Sequence, residues 1–114
     1  MLISLAMLAQ AVVGATPYDV TVPNAIVGLH NDYVRCQDRN FDIRRVISRA
    51  AMAAEVERAI AACAAEKASL KQRAETVLAA QPDYADASVR ERAIAEAFDG
   101  YDRSRRLMAG VVLR

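Results

Sequence analysis

The sequence predicts an all-α fold: a small three-helix bundle, or a helical hairpin plus a third helix, with one disulfide. The chain has 114 residues and contains 24 alanines, whereas aromatic residues make up only 5%. Alanine, glutamate and arginine favour helices, and the β-branched and aromatic residues that build sandwiches and barrels are scarce. Apolar residues also recur at helical spacing in three segments, which assigns one helix to each segment.

The first helix is predicted over residues 25–38, with Asn24 as its N-cap. One face of this helix is apolar, and its residues follow the spacing i, i+3, i+7 and i+10: Ile26, Leu29, Tyr33 and Cys36. His30, the only histidine, falls off this face and is expected at the surface. An extended lead-in is predicted over residues 16–24, because prolines disfavour helix in the residues before them.

The second helix is predicted from about 49 to 80, capped by Ser48 and ended by the Gln81-Pro82-Asp83 sequence. Its apolar residues recur every seven positions and give the strongest periodic signal in the chain: Val56, Cys63, Leu70 and Val77. The connection 39–48 is ambiguous, and either Asn40 or Asp42 can cap a short turn within it.

The third helix is predicted to begin at an Asp86 or Ser88 cap and to end near Gly110. Gly100 lies inside it, and a neighbouring helix that passes close by would explain a glycine there. The predicted apolar face consists of Ala93, Ile94, Ala97, Phe98, Tyr101 and Met108. Two ion pairs of i,i+4 spacing are expected, Arg92–Glu96 and Asp99–Arg103.

The segment 1–15 resembles a secretory signal peptide, and the helical domain is predicted over 25–110. An apolar run, Met1 to Leu8, precedes small-residue cleavage sites that end at Ala11 and Ala15. The basic region that normally precedes such a run is missing, so we expect the true start codon to lie upstream of Met1. A buried N-terminal helix and a short uncleaved membrane anchor are the alternatives.

Cys36 and Cys63 are the only cysteines, and both are predicted on apolar helix faces. In an exported protein two such thiols are expected to form a disulfide. Cys63 would lie about 21 Å along the second helix, whereas bridged Cα atoms must approach within about 7 Å. The connection 39–48 must therefore run back along the bundle before the helix starts at Ser48. Two buried free thiols in a cytosolic protein are the alternative.

No catalytic, cofactor or metal site is predicted. The net charge is only +1, which argues against nucleic-acid binding. The three cysteine and histidine residues are too few for an ordinary structural zinc site. Glycine-rich phosphate loops and metalloprotease or hydrolase motifs do not occur in the sequence. The six glutamates are expected on solvated helix faces.

The candidate interaction surface lies at the end of the third helix and consists of Tyr101, Arg103, Arg105 and Arg106. Arginines at a C-terminus complement the helix dipole, which is their simplest role. Anionic lipid or a partner protein are the alternatives. Tyr101 is expected either in the core or, as the alternative, exposed as a hot spot for binding a partner.

These features together predict an exported, non-catalytic protein that acts as an interaction or structural module of the bacterial cell envelope, with an unidentified protein partner. The alternative is a membrane-surface protein that keeps its N-terminal apolar segment, while its arginine-rich helix end contacts anionic lipid weakly. In composition and layout the chain resembles small exported helical proteins of Gram-negative bacteria that carry one disulfide. That resemblance covers composition and layout only and carries no site residues. The signal-like segment and the expected disulfide predict a periplasmic or secreted location.

Overall fold

A computed structural model describes residues 19–112, and this part of the chain is all-helical, without strands. Four α-helices follow one another: α1 (Val27–Asn40), α2 (Arg49–Ala62), α3 (Ala64–Ala79) and α4 (Ala87–Val112). Three short 3-10 turns precede or connect them: Asn24–Ile26, Ile43–Arg45 and Pro82–Tyr84. The segment 1–15, predicted as a signal peptide, lies outside the described residues.

Short polar side chains cap the starts of α2 and α4, and most of the predicted caps are confirmed. Ser48 Oγ accepts a hydrogen bond from the Ala51 amide at 3.1 Å, and Asp86 accepts one from the Ser88 amide at 2.8 Å. Asp42 caps the turn that follows it. The predicted Asn24 cap is wrong, because Asn24 is itself the first residue of a 3-10 turn.

The second predicted helix is two helices, because the chain breaks at Cys63. This residue has φ −100° and ψ 7°, and its amide is shared between the carbonyl groups of Ala59 and Ile60. Helix α2 therefore ends at Ala62, and α3 starts at Ala64. The described part of the bundle therefore contains four α-helices where the sequence pattern predicted three.

The buried stripe also departs from the seven-residue pattern toward the end of α3. Val56, Cys63 and Leu70 are buried as predicted, but Val77 is 36% exposed and Leu78 is fully buried in its place. A straight helix drifts by about 20° per heptad relative to a strict seven-residue repeat. Over three heptads this drift, together with the break at Cys63, moves Val77 out of the buried stripe and brings Leu78 into it.

Helix α4 runs antiparallel to the consecutive helices α2 and α3 and packs against both. Ion pairs along this contact show the direction. The N-terminal half of α4 pairs with α3 through Arg90 and Glu75, and the C-terminal half pairs with α2 through Arg106 and Glu57. Helix α1 packs on α2 and α3 as well, and its Tyr33 is fully buried against Phe98 of α4.

The disulfide Cys36–Cys63 joins α1 to the junction of α2 and α3, as predicted, with a Cα–Cα distance of 6.0 Å. The connection between α1 and α2 returns the chain to the start of α2, and this return allows the bridge. Asn40 secures the end of α1 nearby, because its side-chain amide donates to the Cys36 carbonyl at 2.8 Å.

Helix α4 differs from its predicted pattern in three respects. Met108, expected on the apolar face, is 51% exposed. The two expected i,i+4 ion pairs are replaced, because Arg103 pairs with Glu96 and Asp99 pairs with lysines of α3. The atoms nearest to a Cβ built on Gly100 belong to Glu96 and Arg103 of α4 itself, so a side chain there would first meet its own helix.

Candidate interaction face

An open apolar groove runs between the first half of α2 and the end of α4, with a volume of about 430 Å³. Its walls carry small residues, Ala50 and Ala53 on one side and Ala109 and Gly110 on the other. Val56 lies between the walls and is almost completely buried. We call this feature the α2–α4 groove. Small residues on both walls allow the backbone of another helix to approach closely.

The rim of the α2–α4 groove is charged. Arg49, Arg106 and Glu57 line it, and the Arg106 guanidinium donates two hydrogen bonds to the Glu57 carboxylate, at 2.6 and 2.9 Å. This contact raises the pKa of Arg106 and lowers that of Glu57, since each charge stabilises the other. Arg49 has no ion-pair partner within residues 19–112, so the rim keeps a net positive charge.

A second, smaller groove lies beside the first and shares Val56 and Ala109 with it. Its volume is about 310 Å³, and its other lining residues are Phe41, Met52, Tyr101, Ser104, Arg105 and Met108. The apolar surface at this end of the bundle therefore continues from one groove into the next.

The four residues predicted as an interaction surface do not form one patch. Arg106 faces the α2–α4 groove, and Arg105 lines the second groove, where it lies 5.6 Å from the Phe41 ring and pairs with Asp38. Arg103 lies elsewhere on α4 and pairs with Glu96. Each of these arginines thus has an acidic partner, and the structure brings only two of them to the grooves.

Tyr101 is half-buried in an aromatic cluster, and this cluster includes His30. The His30 ring packs edge-on against Tyr101 and Phe98, with centroid distances of 5.4 and 6.2 Å. The expected surface position of His30 is therefore wrong. Burial lowers its pKa, although a hydrogen bond with the Ala97 backbone partly opposes this shift. His30 lies three residues before the fully buried Tyr33, so it borders the buried face of α1.

A buried carboxylate, Asp102 of α4, lies at the centre of the bundle and is only 3% exposed. It accepts hydrogen bonds from Tyr33 Oη at 2.6 Å, from Gln37 Nε2 at 2.6 Å and from Lys67 Nζ at 2.8 Å. Lys67 also pairs with Asp99 at 2.5 Å. We call these groups the Asp102 cluster. It joins α1, α3 and α4, and the sequence analysis missed it.

Two donors of the Asp102 cluster, Tyr33 and Lys67, keep their protons. Burial and the hydrogen bond to Asp102 raise the pKa of Tyr33 far above its usual value, so the phenol stays neutral. Burial opposes the charge of Lys67, but its contacts with Asp102 and Asp99 outweigh this effect and raise its pKa. A phenol and an ammonium that both keep their protons serve as fixed donors between helices.

Glu55 of α2 is also buried, at 3% exposure, which corrects the expectation that every glutamate is solvated. The Arg58 guanidinium binds its carboxylate at 2.5 Å, and the Asp42 amide donates to it at 2.7 Å. These contacts, the Arg58 hydrogen bond first, lower the pKa of Glu55 to about 2. Glu55 thereby ties the connection between α1 and α2 to the side of α2.

Within residues 19–112, no three His, Cys, Asp or Glu side chains come together as metal ligands would. None of the helices in the same part is both long and apolar enough to cross a membrane. Both grooves are open and apolar, and the buried charges of the described residues connect helices. Comparison of the chain with protein-family models, with curated proteins and with solved structures found no match.

Proposed function

We propose that this protein is an exported, non-catalytic interaction module of the bacterial cell envelope, and that the α2–α4 groove is its binding site. The groove is the observation that carries this proposal, because it is apolar, open and formed by two helices whose positions the Asp102 cluster and the disulfide fix. The signal-peptide-like sequence at 1–15 supports export, and the disulfide agrees with an oxidising compartment.

The occupant that fits the groove is a helical segment of a partner protein. The small side chains of Ala50, Ala53 and Ala109 leave room for a helix to lie close to α2 and α4. A helix can bury one apolar stripe in such a groove while its polar face stays in water. The groove wall along α2, from Arg49 to Glu57, corresponds to about two helical turns, or about 12 Å.

The positive charge at the rim of the α2–α4 groove indicates which charged residue a partner helix would carry. Arg49 is exposed beside the groove without a carboxylate partner in the described part of the chain, whereas Arg106 is already neutralised by Glu57. A partner helix with an acidic residue at the edge of its apolar stripe would pair with Arg49. We therefore propose an amphipathic, acidic-flanked helix as the ligand.

The proposal is tested by site-specific crosslinking in a Gram-negative host that expresses the gene with its natural upstream sequence. A photo-crosslinking residue replaces Ala53 in the groove or, as the matched control, the exposed Ala68 of α3. We expect a crosslinked envelope protein from position 53 and none from position 68. Mass spectrometry of the crosslinked peptide should identify an amphipathic segment that carries an acidic residue.

A second pair of variants tests the charge at the rim. Ala50→Glu places a carboxylate beside Arg49, and Ala68→Glu places the same charge on α3. Both positions are exposed, so both variants should fold. A synthetic peptide of the crosslinked segment should bind Ala50→Glu at least about tenfold more weakly than the wild type, the factor that corresponds to about 1.4 kcal/mol. Equal binding by both variants, or crosslinking from both alanines, would contradict the proposed site.

A further inference from the structure

The connection between α1 and α2 exposes two isoleucines. Ile43 is 65% exposed and Ile47 is 89% exposed, whereas every isoleucine of the described helices is at least partly buried. Both flank the short sequence Arg44-Arg45-Val46. Neither isoleucine lines either groove. Single exposed apolar residues are common, but two such side chains on one short turn form a distinct surface.

The turn that carries these isoleucines is held firmly against α2. The amide of Asp42 donates to the buried Glu55 carboxylate, and Arg58 bridges Glu55 to the carbonyl of Asn40. The Asp42 carboxylate in turn accepts hydrogen bonds from the Arg44 amide and side chain at 3.0 Å. These hydrogen bonds therefore hold the two isoleucines in their exposed position.

Positive charge surrounds the two isoleucines. Between Asp42 and Glu55 the chain contains three arginines and no acidic residue. Arg44 and Arg45 both pair with the single carboxylate of Asp42, and both remain largely exposed. The stretch from Asp42 to Arg49 thus carries a net charge of +2, from three arginines and one aspartate.

We infer that the segment Ile43–Arg49 is a peripheral contact site for an anionic lipid surface. Ile43 and Ile47 would enter the boundary between headgroups and acyl chains, and Arg44 and Arg45 would bind lipid phosphates. Exposed apolar side chains flanked by arginines can enter a planar lipid surface. Apolar side chains that anchor one protein to another usually fill a pocket in the partner. This site is distinct from the α2–α4 groove and would hold the groove beside the membrane.

Sedimentation with lipid vesicles tests this site on the full chain. We expect binding to vesicles that contain 30% phosphatidylglycerol to exceed binding to pure phosphatidylcholine, and to weaken as salt rises. Ile43→Ser/Ile47→Ser should lower the partition coefficient by a factor on the order of 100, and Arg44→Gln/Arg45→Gln by at least about fivefold. Val77→Ser is the control, because Val77 is exposed on α3 and should leave binding unchanged. All variants share residues 1–18, so their differences report the turn alone.

A tryptophan reporter distinguishes insertion of the turn from binding through another part of the chain. The sequence contains no tryptophan, so Ile47→Trp and Val77→Trp each introduce a single fluorophore. Anionic vesicles with brominated acyl chains should quench Ile47→Trp and leave Val77→Trp unquenched. Absence of quenching at position 47, or wild-type binding by the double isoleucine variant, would overturn the lipid site. Neither result would affect groove crosslinking from Ala53, so the two proposals fail separately.

Discussion

Replacing the central carboxylate, Asp102→Ala, should lower the free energy of unfolding by about 3–5 kcal/mol. The change removes the acceptor for Tyr33 and Gln37, both fully buried, and leaves their donors without a partner. It also removes one of the two carboxylates that neutralise Lys67. Unpaired buried donors lose their hydrogen bonds without regaining water, and this desolvation dominates the expected loss.

The matched control is Asp99→Ala, three residues earlier on the same helix. Asp99 also pairs with Lys67, but its side chain is 51% exposed, and water can replace its contacts. Denaturant unfolding should therefore show a loss of less than about 1 kcal/mol for this variant. If the two substitutions reduced stability equally, Asp102 would not be the connection between helices that the structure indicates.

Removing the disulfide by Cys36→Ala/Cys63→Ala should cost about 3–4 kcal/mol. The bridge closes a loop with a sequence separation of 27 residues, and its loss increases the conformational entropy of the unfolded chain. A domain of this size has a total stability of roughly 5–15 kcal/mol, so the variant should unfold at much lower denaturant concentration.

Reduction of the wild-type protein provides an independent comparison for this variant. The reduced wild type and the double alanine variant should have similar denaturation midpoints, both well below that of the oxidised protein. A midpoint that does not change on reduction would show that the helices hold each other without the bridge. Circular dichroism before denaturation confirms that all three samples start from the helical state.

The sequence predicted the helix starts because caps are local signals, and it predicted the disulfide because the chain has only two cysteines. Ser48 and Asp86 cap helices from their own positions, and the separation of Cys36 from Cys63 required a returning connection. The break at Cys63 had no such signal. Its neighbours are good helix formers, so the local sequence predicts an uninterrupted helix there.

The candidate site was predicted less well, for the same physical reason. Arg105 and Arg106 could be identified as the end of a helix, but their position beside two different grooves depends on how α2 meets α4. In the sequence, Asp102 looks like any other charged residue on a helix. Its contacts with Tyr33 and Lys67 arise only when the helices pack together. A signal was nevertheless present, since Asp102 lies four residues after Phe98, the spacing that puts two side chains on the same helix face.

Export is the claim on which the envelope partner depends, and one intact-mass measurement tests it most directly. The gene, with its natural upstream sequence, is expressed in a Gram-negative host, and the product is weighed with and without reductant and alkylation. We predict cleavage near Ala11 or Ala15 and no thiol that reacts before reduction. An intact Met1 with two reactive thiols would contradict export, the disulfide and the envelope partner.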